Sequence, residues 1–182
     1  AAAAIIIGIT YIPEKWFERI DTIRTYEEDN SAMGRINAWH TAFNIAKDRP
    51  LIGGGFETFT WQVFHLYAPS PSNIHDVHSI YFEIMGEHGF VAFGLFLILI
   101  FCTLLTAMKL KRTARINKQI NWAESYASMF QISLIAYMIG GIFLGRAYFD
   151  LFYNIVAMVV ITKILIEKEL NTEKSVKPLS VK

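Results

Sequence analysis

The sequence predicts an all-α fold: a fragment of a polytopic membrane protein with three transmembrane helices, the end of a fourth, and a helical loop on one side. Of the 182 residues, 53% are hydrophobic and 18% are charged, against about 45–50% and about 25% in soluble domains. This apolar excess excludes a disordered chain, and the single cysteine, Cys102, excludes a disulfide scaffold. A net charge of +1 gives no sign of nucleic-acid binding.

The chain starts with an apolar segment, residues 1–12, which is too short to cross a bilayer. It lacks the basic residues of a signal peptide and begins abruptly in a run of alanines. We therefore expect it to be the tail of a preceding membrane helix, ended by Pro13, and the chain to be a C-terminal fragment. A short buried helix is the alternative.

Residues 13–88 are too many for a simple connector and show the pattern of several helices. An apolar stripe in the first helix could lie on the membrane surface or pack against the rest of the loop. Its members are Trp16, Phe17, Ile20 and Ile23.

A second helix is expected from the capping residues Asn30 and Ser31 to about Lys47, before Pro50. Arg35 falls on its apolar face, either as a snorkelling side chain or with a bound anion as partner. Three glycines at 53–55 predict a turn, and a third helical stretch is expected over 56–67.

The segment 74–89 leads directly into the first long apolar span. If it is helical, Glu83 and Glu87 lie one turn apart on one face, with Ser79 one turn before Glu83 and His78 near the helix start. Ionisable groups at a membrane mouth are costly to hold and are often functional.

A zinc site is the rival interpretation of this segment. His75 and His78 are three residues apart, with Asp76 and Glu83 nearby. The cysteine or His-Glu-x-x-His context of strong zinc motifs is missing, so no metal ligand is assigned.

Three segments are expected to be transmembrane helices: 89–108, 125–145 and 147–166. Residues 90–108 contain no charge and are long enough for a bilayer core of about 30 Å. The third segment is weaker, because Asp150 and Lys163 lie inside it, although both are near its ends.

Charge predicts the orientation of these spans. The connecting segment 109–124 has five basic residues before its first acid, so we expect it in the cytoplasm. These are Lys109, Lys111, Arg112, Arg115 and Lys118. Residues 13–88, with 6 basic and 11 acidic residues, would then lie on the outer side, and the tail 167–182 in the cytoplasm.

The outer loop also carries three short motifs in order. They are Gly34-Arg35-x-x-Ala38-Trp39-x-x-Ala42, Pro50-Leu51-x-Gly53-x-Gly55-x-x-x-Phe59, and His78-Ser79-x-Tyr81-Phe82-Glu83-x-x-Gly86-Glu87-x-Gly89-x-x-x-x-Gly94-Leu95. Together they resemble the O-antigen ligase family of bacterial inner-membrane proteins. Residues 26–35, 46–50 and 86–90 are most similar to its exosortase-A-associated branch, the O-glycosylation ligases.

The resemblance implies a multi-pass protein of the bacterial inner membrane, with residues 13–88 periplasmic. It implies transfer of a glycan from an undecaprenyl-diphosphate carrier to an acceptor hydroxyl, on the lipid A core of lipopolysaccharide or on a protein. The implied partners are this donor, the acceptor and membrane lipids, with no nucleotide sugar, metal or other cofactor.

By the same resemblance the catalytic residues are Arg35 and His78. A diphosphate leaving group needs cations, and arginine contacts phosphate in a bidentate manner. An acceptor hydroxyl needs a base that is neutral near pH 7, as histidine can be. Further candidates for substrate binding are Arg49, Glu83, Glu87, His75 and Arg146. The family also uses arginines from upstream membrane helices, so we expect this chain alone to be inactive.

Two other functions fit the same sequence. An O-antigen polymerase of the same family would use the same donor with another glycan chain as acceptor. A non-enzymatic membrane sensor would instead use the aromatic stripes and the acidic outer loop to bind a partner. An enzyme needs Arg35 and His78 to face one shared cleft, whereas a sensor does not, so the distance between these two residues distinguishes the enzyme from the sensor.

Overall fold

The computed structural model describes residues 30–176. The predictions for the apolar segment 1–12, for the stripe that follows it and for the end of the tail lie outside the described residues. Within 30–176 the chain forms five α-helices and no strand. They are α1 (Asn30–Asp48), α2 (Trp61–Tyr67), α3 (Ile80–Ile116), α4 (Trp122–Gly140) and α5 (Asp150–Val176), with a short 3-10 helix between α3 and α4.

Helix α1 covers the second helix that the sequence predicted. Ala38 and Ala42 are fully buried on one face of α1, against Phe64 of α2 and Val77 of the segment before α3. The small side chains let the neighbouring backbones come close, so α1 forms a platform for the segment 73–79.

The helix predicted over 56–67 is shorter than expected, because α2 begins only at Trp61. Gly55 and Glu57 have φ values of 91° and 54°, which a right-handed helix does not contain. The amide of Glu57 donates instead to Oε1 of Glu87 at 2.8 Å. A long-range hydrogen bond therefore replaces the first turns of the predicted helix.

Helix α3 is broken at Gly89, where φ is 78° and ψ is −177°. Only glycine adopts this conformation readily, and an added Cβ would lie 2.5 Å from the carbonyl oxygen of Pro50. The amides of Phe90 and Val91 donate to that oxygen at 2.8 and 3.4 Å. The break separates the first part of α3, which carries Glu83, Glu87 and His88, from the uncharged segment that follows.

The glycine-rich turn after α1 completes the hydrogen bonding at this break. The amides of Gly54 and Gly55 donate to the carbonyls of Gly86 and Glu87, each at 2.8 Å. Carbonyls at the end of a helical segment need such outside donors. The turn predicted from the three glycines is thus confirmed, and its backbone lies against α3.

Among the described helices, α3 is long and apolar enough to cross a membrane. Helices α4 and α5 overlap the other two predicted spans, but the count of three spans is not confirmed. Exposed apolar side chains on all three helices fit contact with lipid. They include Leu95, Ile98, Leu105, Ile132, Ile161 and Ile164.

The inner faces of α3, α4 and α5 pack together. At the end near residue 80 the core contains Ile80, Phe96, Leu134 and Phe152. At the other end four buried alanines, Ala107, Ala114, Ala123 and Ala127, pack among larger side chains such as Phe130. Small residues let helices approach closely. In lipid, where helix contact releases no water, this close packing favours helix association.

Candidate functional site

A cleft of about 400 Å³ lies beside the first turns of α3. We call it the acidic cleft, because four of its seven lining residues are carboxylates. It is lined by Glu57, Phe59, Ile74, His75, Asp76, Glu83 and Glu87. The turn before α2, the segment 73–79 and the start of α3 all contribute to it.

His78 lies beside this cleft on a segment that is held from two sides. On one side Nε1 of Trp39 donates to the carbonyl of Val77 at 2.8 Å, and the Trp39 ring stacks on Phe82 at 4.9 Å. On the other side the amide of Ile80 donates to the carbonyl of Gly141 at 2.9 Å. Helix α1 and the end of α4 therefore fix the backbone around His78.

The His78 side chain is accessible and has a carboxylate partner. Its Nδ1 lies 3.4 Å from Oδ2 of Asp76, and 45% of the side chain is exposed. Among the described residues, His78 and Glu57 are the two non-glycine residues with positive φ; Glu57 lines the cleft and His78 lies beside it. Such strained conformations cost about 1–3 kcal/mol and often occur at functional sites.

His75 packs directly on the first turns of α1. A Cβ added to Gly34 would lie 2.4 Å from Nδ1 of His75, so the ring occupies the space that glycine leaves open. This nitrogen is buried and has no hydrogen-bond partner within the described part of the chain. Because Arg35 follows Gly34, the arginine lies one residue from this contact.

Glu83 connects the cleft to the turn between α4 and α5. Its Oε2 accepts the amide N–H of Ala147 at 3.2 Å, and a Cβ added to Gly145 would lie 3.6 Å from the same oxygen. Glu83 precedes the break at Gly89 and so lies outside the apolar segment. Burial raises the pKa of Glu83, with Glu87 acting in the same direction and the Ala147 amide against it.

Glu87 is buried, with an exposed fraction of 5%, and both of its oxygens are engaged. Oε1 accepts the amide of Glu57, and Oε2 accepts the hydroxyl of Tyr148. The same hydroxyl lies 2.9 Å from Nε2 of His88, and Phe56 packs on the rings of His88 and Tyr148. Glu87 therefore ties the turn before α2 to the turn before α5.

The comparisons with known proteins add one match. A family model described as O-antigen ligase matches residues 1–97, which is more than half of the chain. The chain belongs to the O-antigen ligase family. No curated protein and no solved structure matches it.

Membership in the O-antigen ligase family implies an enzyme that transfers glycosyl groups. The family is membrane-associated, in agreement with α3, the helix within residues 30–176 that is long and apolar enough to span a membrane. The match includes α1, α2, the acidic cleft and the start of α3. The turn that contains Arg146 and Tyr148 lies beyond it.

The fold brings together most of the site residues that the sequence predicted for this member of the O-antigen ligase family. His75, Glu83 and Glu87 line the acidic cleft, and His78 adjoins it through Asp76. Arg146 lines a neighbouring cavity of about 270 Å³ that shares Glu83 with the cleft.

Two predicted arginines are placed differently. Arg35 is half-buried on α1 and does not line the acidic cleft. Arg49 is exposed, with its Nε 3.9 Å from Oδ2 of Asp48, and it lines a small cavity beside α2. The structure therefore groups the predicted carboxylates and histidines more closely than the predicted cations.

Sequence reasoning missed Tyr148. No periodic pattern marks it, and its only signal is that it stands two residues after Arg146 in the outer turn. In the sequence, Asp76 stands out only as a neighbour of the possible zinc ligands His75 and His78. Within residues 30–176, no group of three or more His, Cys, Asp or Glu side chains is arranged to hold a metal ion.

Proposed function

We propose that this chain forms the acceptor-activating part of an O-antigen ligase that acts on the periplasmic side of the bacterial inner membrane. The donor is a glycan on undecaprenyl diphosphate, and the acceptor is a hydroxyl of the lipid A core or of a protein. The acceptor oxygen forms a bond to the anomeric carbon while the bond from that carbon to the diphosphate oxygen breaks. The diphosphate leaves with the electron pair.

The observation that carries the proposal is the pairing of His78 with Asp76 at the mouth of the acidic cleft. The imidazole is exposed enough to reach an acceptor hydroxyl and take its proton. Asp76, 3.4 Å from Nδ1, stabilises the imidazolium that then forms. In this proposal the other ring nitrogen, Nε2, takes the proton of the acceptor hydroxyl.

The cations that stabilise the leaving diphosphate are Arg35 and Arg146 in this proposal. Arginine suits the task because its planar guanidinium can donate two parallel hydrogen bonds to phosphate oxygens. Arg146 is exposed beside Glu83, and Arg35 lies one residue from the contact of Gly34 with His75. Arg49, next to Asp48, is assigned at most a secondary phosphate contact.

The carboxylates have different roles. Glu83 is half-buried and lines both cavities, so it is placed to accept hydrogen bonds from sugar hydroxyls. Glu87 has both oxygens engaged by protein donors, which favours a positioning role over direct sugar binding. His75 contributes the wall of the cleft next to α1.

Alanine variants of His78 and Arg35 in the full-length protein test the proposal. Each should abolish transfer of the glycan from its lipid carrier, while the amount of protein in the membrane stays the same. His65→Ala is a matched control, because His65 is exposed on α2, stacked on Trp61 and outside the cleft. Wild-type transfer in either the His78→Ala or the Arg35→Ala variant would contradict the catalytic assignment.

The product distinguishes the ligase from the polymerase. A ligase yields glycan on the lipid A core or on protein, whereas a polymerase yields a longer glycan on the carrier lipid. If the wild-type protein binds the lipid-linked glycan but forms neither product, the sensor alternative is favoured.

A further inference from the structure

A groove of about 360 Å³ lies at the opposite end of α3 from the acidic cleft. We call it the basic groove. It is lined by Met108, Lys111, Arg112, Arg115, Ile116 and Gln131. The first five stand at positions i, i+3, i+4, i+7 and i+8, so they share one face of α3, and Gln131 belongs to α4.

The two helices are joined at the base of this groove. Nε2 of Gln131 donates to the carbonyl of Ala107 at 3.2 Å, and Ala107 is buried. The groove is therefore a formed feature between packed helices.

The basic groove has an excess of positive charge. One carboxylate, Glu124, reaches it, with Oε1 2.9 Å from Nε of Arg115. Within the described residues, no ion pair of Lys111 or Arg112 is found. Two cations are thus left to bind an anion from outside the chain.

The same groove also offers apolar contact. Met108 is 51% exposed and Ile116 is 72% exposed, on either side of the cations along the helix. Met108 is the last residue of the uncharged segment 90–108, so the groove begins where the apolar part of α3 ends. If α3 crosses the membrane, this depth is that of the lipid head groups.

We propose that the basic groove binds an anionic phospholipid. Its phosphate contacts Lys111 and Arg112, and the first methylenes of its acyl chains pack on Met108, on the side of the uncharged segment 90–108. Basic pockets between membrane helices on the cytoplasmic side are suited to such head groups. This lipid site goes beyond the proposed transfer reaction and uses none of the residues of the acidic cleft. It requires that α3 crosses the membrane, but it does not require the proposed function.

The test is lipid retention by the full-length protein, measured by native mass spectrometry after reconstitution with phosphatidylglycerol or with phosphatidylcholine of the same acyl chains. The wild-type protein should retain phosphatidylglycerol in preference. The double variant Lys111→Gln/Arg112→Gln should retain it about 30-fold less, since each cation near the surface is worth about fivefold. A matched control is Lys109→Gln/Lys118→Gln, which removes the same charge from exposed positions outside the groove.

A second variant distinguishes the loss of charge from misfolding of the protein. Lys111→Arg/Arg112→Lys preserves both charges, and a lysine and an arginine near the surface contribute about equally, so it should retain phosphatidylglycerol within about twofold of the wild type. Equal retention of the two lipids would overturn the proposal. An equal loss in the control and groove variants would also overturn it, because it would show diffuse attraction to the membrane surface. If the charge-preserving variant lost as much retained phosphatidylglycerol as the glutamine variant, the proposal would also be overturned, because the loss would then come from altered packing and not from lost charge.

Discussion

Tyr148 connects the turn before α5 to the first part of α3 through one hydroxyl group. The Tyr148→Phe variant keeps the ring and its contact with Phe56 but removes the donor to Oε2 of Glu87. Glu87 is 5% exposed, so water cannot readily replace the lost donor, although the amide of Glu57 still binds its other oxygen.

The magnitude follows from this geometry. A hydrogen bond to a charged group contributes about 1.5–3 kcal/mol, so we expect the free energy of unfolding to fall by about 2 kcal/mol. For a chain of this size, that corresponds to a Tm roughly 4–8 °C lower. Thermal unfolding in detergent, followed by tryptophan fluorescence, measures it. Tyr126→Phe is the matched control, because Tyr126 is 52% exposed and far along α4 from the cleft, and its Tm should change by less than about 2 °C.

A double-mutant cycle isolates the pair. Glu87→Gln removes the charge and one of the two acceptor oxygens. With its remaining oxygen on the Glu57 amide, its NH2 group donates to the Tyr148 hydroxyl, and this neutral hydrogen bond should be worth about 1 kcal/mol. The effect of Tyr148→Phe should then be about half as large. An unchanged effect in the Glu87→Gln background, or a fall in Tm no larger than that of Tyr126→Phe, would refute the reasoning.

Two further predictions concern the walls of the cleft. Burial raises the pKa of Glu83. In the pH range just above the usual glutamate pKa of about 4.3, the folded protein therefore binds more protons than the unfolded chain. Its stability then falls as the pH rises through this range. Glu83→Gln, which keeps an acceptor for the Ala147 amide, should flatten this fall in Tm between pH 4 and pH 8; a difference from wild type that is constant with pH would argue against it. Gly34→Ala should lower the free energy of unfolding by about 1–3 kcal/mol, because its Cβ would lie 2.4 Å from the His75 ring. Gly94→Ala, with open space around its Cβ, should be neutral or stabilising, and equal Tm values for the two variants would contradict the close contact.

Parts of the fold were predictable because they depend on local patterns. The caps and the proline predicted α1, and the uncharged segment 90–108 predicted the apolar part of α3. The predicted helix over 56–67 failed in its first turns, because Gly55 and Glu57 take positive φ and the Glu57 amide bonds to Glu87. That partner is 30 residues away, and no local propensity contains it.

The candidate site divides in the same way. Residue type, order and charge in the sequence singled out His78, Glu83 and Glu87, and the basic segment 109–124 indicated an orientation, because hydrophobic length and charge act locally along a helix. Tertiary structure alone decided that Tyr148 meets Glu87 and that Gly145 and Ala147 lie against Glu83. These contacts join segments about 60 residues apart through single hydrogen bonds and close backbone approach. Such contacts produce no periodic pattern of residues in the sequence, because they depend on how α3, α4 and α5 pack against one another.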